Sequence, residues 1–197
     1  MVLELGRKRF AEALKPFVKR VPLKPNTLSI LAFLLTVGSA VCLLFAPSSN
    51  DVLILAGAVL ISISGFLDAL DGEVARAKGL ASKKGDFTDH VLDRYADVVI
   101  LMGMLLLVEP LYLLFAIEGV LLTSYMGTQA QALGLGRLYS GIMGRADRLV
   151  IIILILIFEF VFLPGYRILK WGVIAIAILS NGTAIERAIV VYKKLED

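Results

Sequence analysis

Residues 68–93 read DALDGEVARAKGLASKKGDFTDHVLD, and this stretch decides how the rest of the chain is read. It sets four carboxylates, Asp68, Asp71, Asp89 and Asp93, beside segments that are otherwise apolar enough for a membrane. Ionised groups near hydrocarbon are costly unless they are paired, hydrated or bound to metal, so they point to function. Asp68 and Asp71 are three apart and Asp89 and Asp93 four apart, spacings that place each pair on one face of a helix. Two acidic faces that meet can hold one or two divalent cations through oxygen ligands. Gly72 and Gly85 leave room for a ligand to approach backbone, and Arg76 offers a planar fork for phosphate.

Outward from this stretch the chain is a series of apolar runs. Hydrophobic residues make up 58% of the 197 residues, and the mean hydropathy of +0.85 argues against a water-soluble globule. The pattern predicts an all-α integral membrane protein with six transmembrane helices, over residues 27–46, 51–78, 85–108, 111–133, 146–163 and 168–192. Residues 3–20 alternate Leu3, Phe10, Leu14 and Phe17 with Arg7, Lys8, Arg9, Lys15 and Lys19, which suits an amphipathic helix lying on an anionic membrane surface. Pro22 and Pro25 end it. The expected organisation is a single membrane domain over 1–197, with 1–24 as the juxtamembrane helix and 25–197 as the bundle, and no cleavable signal peptide is expected. The lone Cys42 sits in an apolar run and is read as a small packing residue.

The basic residues orient the bundle. They gather in the N-terminal segment, the 76–84 turn, the 134–148 region and the tail, whereas the turns at 47–51 and 109 hold none. The positive-inside rule then places both termini, and all four aspartates, on the cytoplasmic side of a cell membrane. The second helix, at ~1.5 Å per residue, is about 40 Å long and exceeds a ~30 Å hydrocarbon core, so the motif is expected at headgroup level.

In order, the motif residues are Asp68, Asp71, Gly72, Ala75, Arg76, Gly85, Asp89 and Asp93, spaced DxxDGxxAR, eight residues, GxxxDxxxD. This resembles the signature of the CDP-alcohol phosphotransferase family at every defining position, and the six-span layout is similar too. The resemblance implies transfer of a phosphatidyl-type group from a CDP-linked lipid, CDP-diacylglycerol or CDP-archaeol, to the hydroxyl of a small polar acceptor, with release of CMP. It further implies two Mg²⁺ or Mn²⁺ ions held by Asp68, Asp71 and Asp89, with Asp93 as ligand or outer partner and general base. Gly72, Ala75 and Gly85 would admit the nucleotide, Arg76 would meet its phosphates, and Asn26 and Ser29 lie where the family carries a nucleotide-side segment. A homodimer in the bilayer is implied; no nucleic-acid partner is expected.

Residues 123–148 and the NGTAIER at 181–187 resemble the phosphatidylinositol-phosphate and archaetidylinositol-phosphate synthase branch. That implies a phosphorylated acceptor, inositol 1-phosphate, bound by Arg145 and Arg187 with Arg148 close by; glycerol 3-phosphate, serine or another polar alcohol is the alternative within the family. Gln129 stands where the branch often has lysine, a loss for which Arg137 is one substitute.

Other readings are weighed against these. Asp86 and Asp89 at a helix start can act as caps, but Asp68 and Asp71 fall at a helix C-terminal end, where the dipole disfavours acids. Asp97 continues the Asp89–Asp93 face, either supporting the site or pairing with an arginine. His90 is read as interfacial packing, and Arg145, Arg148 and Arg187 have an alternative as topological anchors. An intramembrane prenyltransferase would release pyrophosphate rather than CMP, and a divalent-cation transporter would need charged groups along its whole path.

Overall fold

The computed structural model describes residues 18, 21–46, 52–136, 138, 140–162 and 167–196. The expected surface helix over 3–20, apart from Val18, lies outside these residues, as do Arg137 and the turns at 47–51 and 163–166. The described chain is all α: α1 Pro25–Leu44, α2 Val52–Ala77, α3 Lys83–Met102, α4 Pro110–Ala132, α5 Arg145–Phe162 and α6 Arg167–Glu196.

Local chemistry sets the ends. Pro25 and Pro110 occupy the first turns of α1 and α4, where a missing N–H costs nothing and the fixed φ favours helix. Ser82 caps α3, its Oγ accepting from the Gly85 N–H at 3.1 Å. The cap is therefore a serine upstream of Asp86 and Asp89, and neither acid is needed to start the helix. Asp147 accepts from the Gly144 N–H at 2.9 Å at the start of α5. The third helix stops at Met102, short of the expected 108, because Gly103 lies against Ala40 and the chain turns through residues 103–107.

Each helix packs against two neighbours, in the order α1–α2–α5–α6–α4–α3 and back to α1, so the bundle is a closed ring. Its distal half is filled by an apolar core that includes Leu43, Ile61, Leu101, Leu113, Leu156 and Ile176. Large apolar side chains also cover the outside, among them Leu34, Phe66, Phe115, Phe158 and Ile178. Apolar outside and inside is what a bilayer solvent selects. Four helical stretches, Pro25–Leu44, Val52–Ala77, Pro110–Ala132 and Ile168–Leu195, are long and apolar enough to cross a membrane. The expectation of six such helices is thus met by four. The helices α3 and α5 carry too many charges to qualify, and those charges turn out to face one another.

Without a hydrophobic drive between helices in lipid, small residues and hydroxyls join them. Between α1 and α2, Thr36 and Ser64 are hydrogen-bonded at 2.8 Å, and Ser39 donates to the Gly57 carbonyl at 2.7 Å. Between α4 and α6, Asn181 donates to the Phe115 carbonyl at 3.0 Å and fills the space a side chain at Gly119 would need. Glu159 of α5 accepts from the Leu169 N–H of α6 at 2.9 Å, a carboxylate at a helix N-terminus. Lys170 meets Glu109 at 2.6 Å and lies over the Tyr112 ring.

A Cβ at Gly103 would lie 2.6 Å from the Ala40 Cα, backbone that cannot rotate away, whereas Gly182 has nothing within 4 Å. Gly103→Ala is therefore expected to destabilise the protein by about 1–3 kcal/mol, while Gly182→Ala is neutral or stabilising by up to ~1 kcal/mol. Thermal unfolding in detergent checks the pair, and equal midpoints would refute the close α1–α3 contact.

Candidate functional site

The functional side chains converge at the end of the ring where α2 finishes and α3 begins. The register of α2 turns Asp68 and Asp71 inward from its last turns; Asp71 is 6% exposed and accepts from the Ser29 hydroxyl of α1 at 2.5 Å. From α3, the Asp89 carboxylate reaches the same point. Oxygens of Asp68, Asp71 and Asp89 all lie within 4.8 Å of one another. The fourth aspartate of the motif, Asp93, sits beside this trio and is engaged by an arginine.

That arginine is Arg145, the first residue of α5. Its Nη1 is 2.5 Å from Asp68 Oδ2 and 2.9 Å from Asp93 Oδ1, so one guanidinium bridges α2 and α3. One turn deeper the pattern repeats. Arg148, 3% exposed, donates to Asp97 at 2.6 Å. Arg94 lies between the two rungs, 3.7 Å from Asp93 and 3.2 Å from Asp97, and donates to the Ser124 hydroxyl of α4. Asp93 and Asp97 are four apart on α3, and Arg145 and Arg148 three apart on α5, so both spacings stack the rungs on facing sides.

The charges sort into two groups. Asp68, Asp93 and Asp97 are matched by Arg94, Arg145 and Arg148. Among the described residues, no lysine or arginine makes an ion pair with Asp71 or Asp89. Two carboxylates held close together, Asp71 buried and Asp89 half-buried, with no described lysine or arginine paired to them, are a donor set suited to a hard divalent cation. His90 is 3.9 Å from Asp89, while its Nδ1 lies 2.7 Å from the Asp86 carbonyl of its own helix.

The nucleotide-side candidates form a shallow rim. The space beside Gly85 is bounded by Ser82 Oγ and by the Asn26 side chain, which brings the start of α1 against the start of α3. Above Gly72 lies the Arg76 guanidinium, exposed and paired with Glu73 at 2.6 Å. Ala75 is half-buried between them in sequence. A pocket lined by Ser29, Phe33, Thr36, Asp68, Asp89 and Arg145, among others, runs from the aspartates into the bundle.

Of the acceptor-side candidates, Arg145 and Arg148 belong to the ionic rungs. Arg187 lies elsewhere in the network: its Nε donates to the Ser140 carbonyl and its Nη1 to the Thr123 carbonyl, each at 2.7 Å. It ties the loop after α4 to α4 and α6. Gly127 makes room for it, since a Cβ there would meet its Nη1 at 3.3 Å. Gln129 is half-buried on the same helix. Sequence reasoning passed over Arg94, Ser124 and Glu159. The signal for Arg94 was present: a cation one residue from Asp93 and three before Asp97 needs a buried anion.

The profile of the CDP-alcohol phosphatidyltransferase family matches residues 23–182. The archaetidylinositol phosphate synthase of Pyrococcus horikoshii is 37% identical over 174 residues, covering 87% of this chain and 85% of that protein. The archaetidylinositol phosphate synthase of Methanothermobacter thermautotrophicus is 33% identical over 187 residues, 92% of this chain and 89% of that one. The crystal structure of Mycobacterium tuberculosis phosphatidylinositol phosphate synthase with CDP-DAG bound superposes with a TM-score of 0.75 at 26% identity, covering 94% of this chain and 93% of that chain. The same enzyme in complex with manganese and citrate gives a TM-score of 0.75, with 94% and 88% covered. The chain belongs to the CDP-alcohol phosphatidyltransferase family, and it is a membrane enzyme of that transferase class.

Arg145 is the cation shared by Asp68 and Asp93. Arg145→Met, measured with chelator present, is expected to cost about 2–4 kcal/mol of stability, because removing one partner strands two carboxylates. An unchanged unfolding midpoint in detergent would show that the bridge contributes nothing to the fold.

Proposed function

We propose that this enzyme transfers the phosphatidyl-type group of a CDP-linked lipid to the hydroxyl of inositol 1-phosphate, releasing CMP. The observation that carries the site assignment is the cluster of Asp68, Asp71 and Asp89, two of which pair with no described lysine or arginine. The acceptor assignment is supported by the names of the relatives, whose products are lipid-linked inositol phosphates.

In this reading Asp68, Asp71 and Asp89, with Asp93 at their edge, hold Mg²⁺ or Mn²⁺. Bound there, the cations neutralise the diphosphate and ease the build-up of charge on departing CMP. Arg76 takes a phosphate oxygen of the donor, and Gly72, Ala75 and Gly85 let the nucleotide lie against backbone, with Asn26 and Ser29 at its edge. Ser29 orients Asp71 through its hydroxyl. Asp93 accepts the proton of the acceptor hydroxyl as that oxygen bonds to the lipid-side phosphorus and the bond to the CMP oxygen breaks. Arg145 fixes the Asp93 carboxylate for this task, at 2.9 Å.

Arg145 and Arg187, with Gln129 nearby, are the proposed recognition set for the acceptor phosphate. The Arg145 Nε–H makes no hydrogen bond and stands 3.9 Å from Asp97 Oδ1. Arg148 supports this set through Asp97 instead of meeting the phosphate itself. All six helices cross the membrane in this proposal, α3 and α5 being admitted because their charges are paired inside the ring. Residues 1–197 form one domain, 25–197 the bundle and 1–24 the surface helix. Both termini and the aspartates face the cytoplasm, and two copies associate in the bilayer.

One assay tests the reading. Purified protein, a CDP-lipid and Mg²⁺ or Mn²⁺ are combined with inositol 1-phosphate, glycerol 3-phosphate, serine or free inositol, and CMP is measured. Inositol 1-phosphate is expected to be the best acceptor, with turnover abolished by chelator and by Asp68→Asn, Asp71→Asn or Asp89→Asn. Arg187→Ala is expected to raise the acceptor KM about tenfold or more. A preference for serine or free inositol would remove the phosphate pocket. Full turnover in any of the three aspartate variants would remove that ligand.

A further inference from the structure

The family signature ends at Asp93, yet the ionic network does not. Asp97, one turn deeper on α3, is 6% exposed and collects Arg148 at 2.6 Å and Arg94 at 3.2 Å, both on Oδ2. The Arg145 Nε stands 3.9 Å from Asp97 Oδ1. Three guanidiniums therefore crowd three carboxylates, and Asp97 takes two of them. The backbones of α3 and α5 are not neighbours in the ring, so the side chains alone span the gap between them.

The stacking of the rungs makes Asp97 consequential for the site above it. Arg148 is one helical turn from Arg145 and Asp97 one turn from Asp93, so an Arg148 released from Asp97 has Asp93 as its next accessible anion. A second guanidinium on Asp93, or on Asp68 beside it, would draw those carboxylates away from the trio. Charge balance argues the same way. With Asp97 neutral, three arginines would share Asp68 and Asp93 alone.

We propose that Asp97 is a positioning residue of the acidic site. By holding Arg148 and Arg94 at the inner rung, it leaves Arg145 alone to bridge Asp68 and Asp93, so that Asp68, Asp71 and Asp89 keep the arrangement a divalent cation needs. This rests on the reading of those aspartates as metal ligands. Outer partners of metal ligands alter metal affinity by roughly 10–100-fold when removed.

The probe is Mn²⁺ alone, its binding followed by electron paramagnetic resonance on detergent-solubilised protein below its unfolding midpoint, with no lipid or acceptor present. Wild type must bind Mn²⁺ and Asp71→Asn must lose it; failure of that control would overturn the metal reading itself, separately from Asp97. Asp97→Asn is expected to weaken Mn²⁺ binding about tenfold or more. In that background Arg148→Met is expected to restore affinity to within about threefold of wild type, since the guanidinium stacked below Arg145 is gone and Arg94 stays on the Ser124 hydroxyl. Arg148→Met alone, with Asp97 still held by Arg94, is expected to keep wild-type Mn²⁺ affinity. A role confined to stability would lower the unfolding midpoint of Asp97→Asn without changing the affinity of the folded protein, and that result would overturn the proposal. So would a double variant that binds as weakly as Asp97→Asn. If Asp97→Asn does not yield folded protein, Arg148→Met decides: a tenfold loss of Mn²⁺ affinity in that variant would show that Arg148 supports the ligands directly and would overturn the proposal.

Discussion

The structure depends on two ion-paired rungs, Asp93 with Arg145 and Asp97 with Arg148, laid across the inside of a ring of apolar helices. Each partner alone would be prohibitively costly beside hydrocarbon. Together, with Arg94 and Ser124 completing the network, they let two charged helices complete a ring whose other four members are apolar. A buried pair of this kind adds little net stability over an apolar replacement, but it is unforgiving of the loss of one partner. Its effect is to fix which helices face one another and at what height.

That height matters because the ring has two storeys. Just distal to Asp97 and Arg148 come Ile100, Leu101 and Ile152, the start of a largely apolar interior. The buried polar groups placed there are hydrogen-bonded: Ser39 donates to the Gly57 carbonyl and Glu159 accepts from the Leu169 N–H. Close approaches at Gly103, Gly119 and Gly172 tighten the bundle, and Thr36 with Ser64 stitches α1 to α2 nearer the aspartates.

The same arrangement explains how one small site can carry both acids committed to structure and acids left for chemistry. Asp68 does both, bonding Arg145 through Oδ2 while standing within the trio. Among the described residues, Asp71 and Asp89 pair with no lysine or arginine, and Asp71 accepts from the Ser29 hydroxyl. Excess negative charge at this one point, next to a rim of Gly85, Asn26 and Arg76, fits a family whose donor is a nucleotide diphosphate.

Much of this was legible in the chain. The apolar periodicity gave the helices to within about six residues, and the i,i+3 and i,i+4 spacings put Asp68 with Asp71 and Asp89 with Asp93 on shared helical faces, whereas the grouping of Asp68, Asp71 and Asp89 came from the family resemblance. Pro25 and Pro110, read from the chain as breaking or turning residues, instead sit in the first turns of α1 and α4. Partnership across helices was not legible. Arg145, Arg148 and Arg187 look alike in sequence, yet one bridges Asp68 and Asp93, one balances Asp97 and one ties a loop through backbone carbonyls. The capping of α6 by Glu159 was likewise invisible, and for Arg94 the spacing signalled a buried anion without saying that Ser124 of α4 would complete its contacts. Helix positions follow from local hydrogen bonding and hydrophobic period, which sequence encodes directly. Which cation meets which anion depends on helix order around the ring and on relative height, quantities set only when all six helices pack.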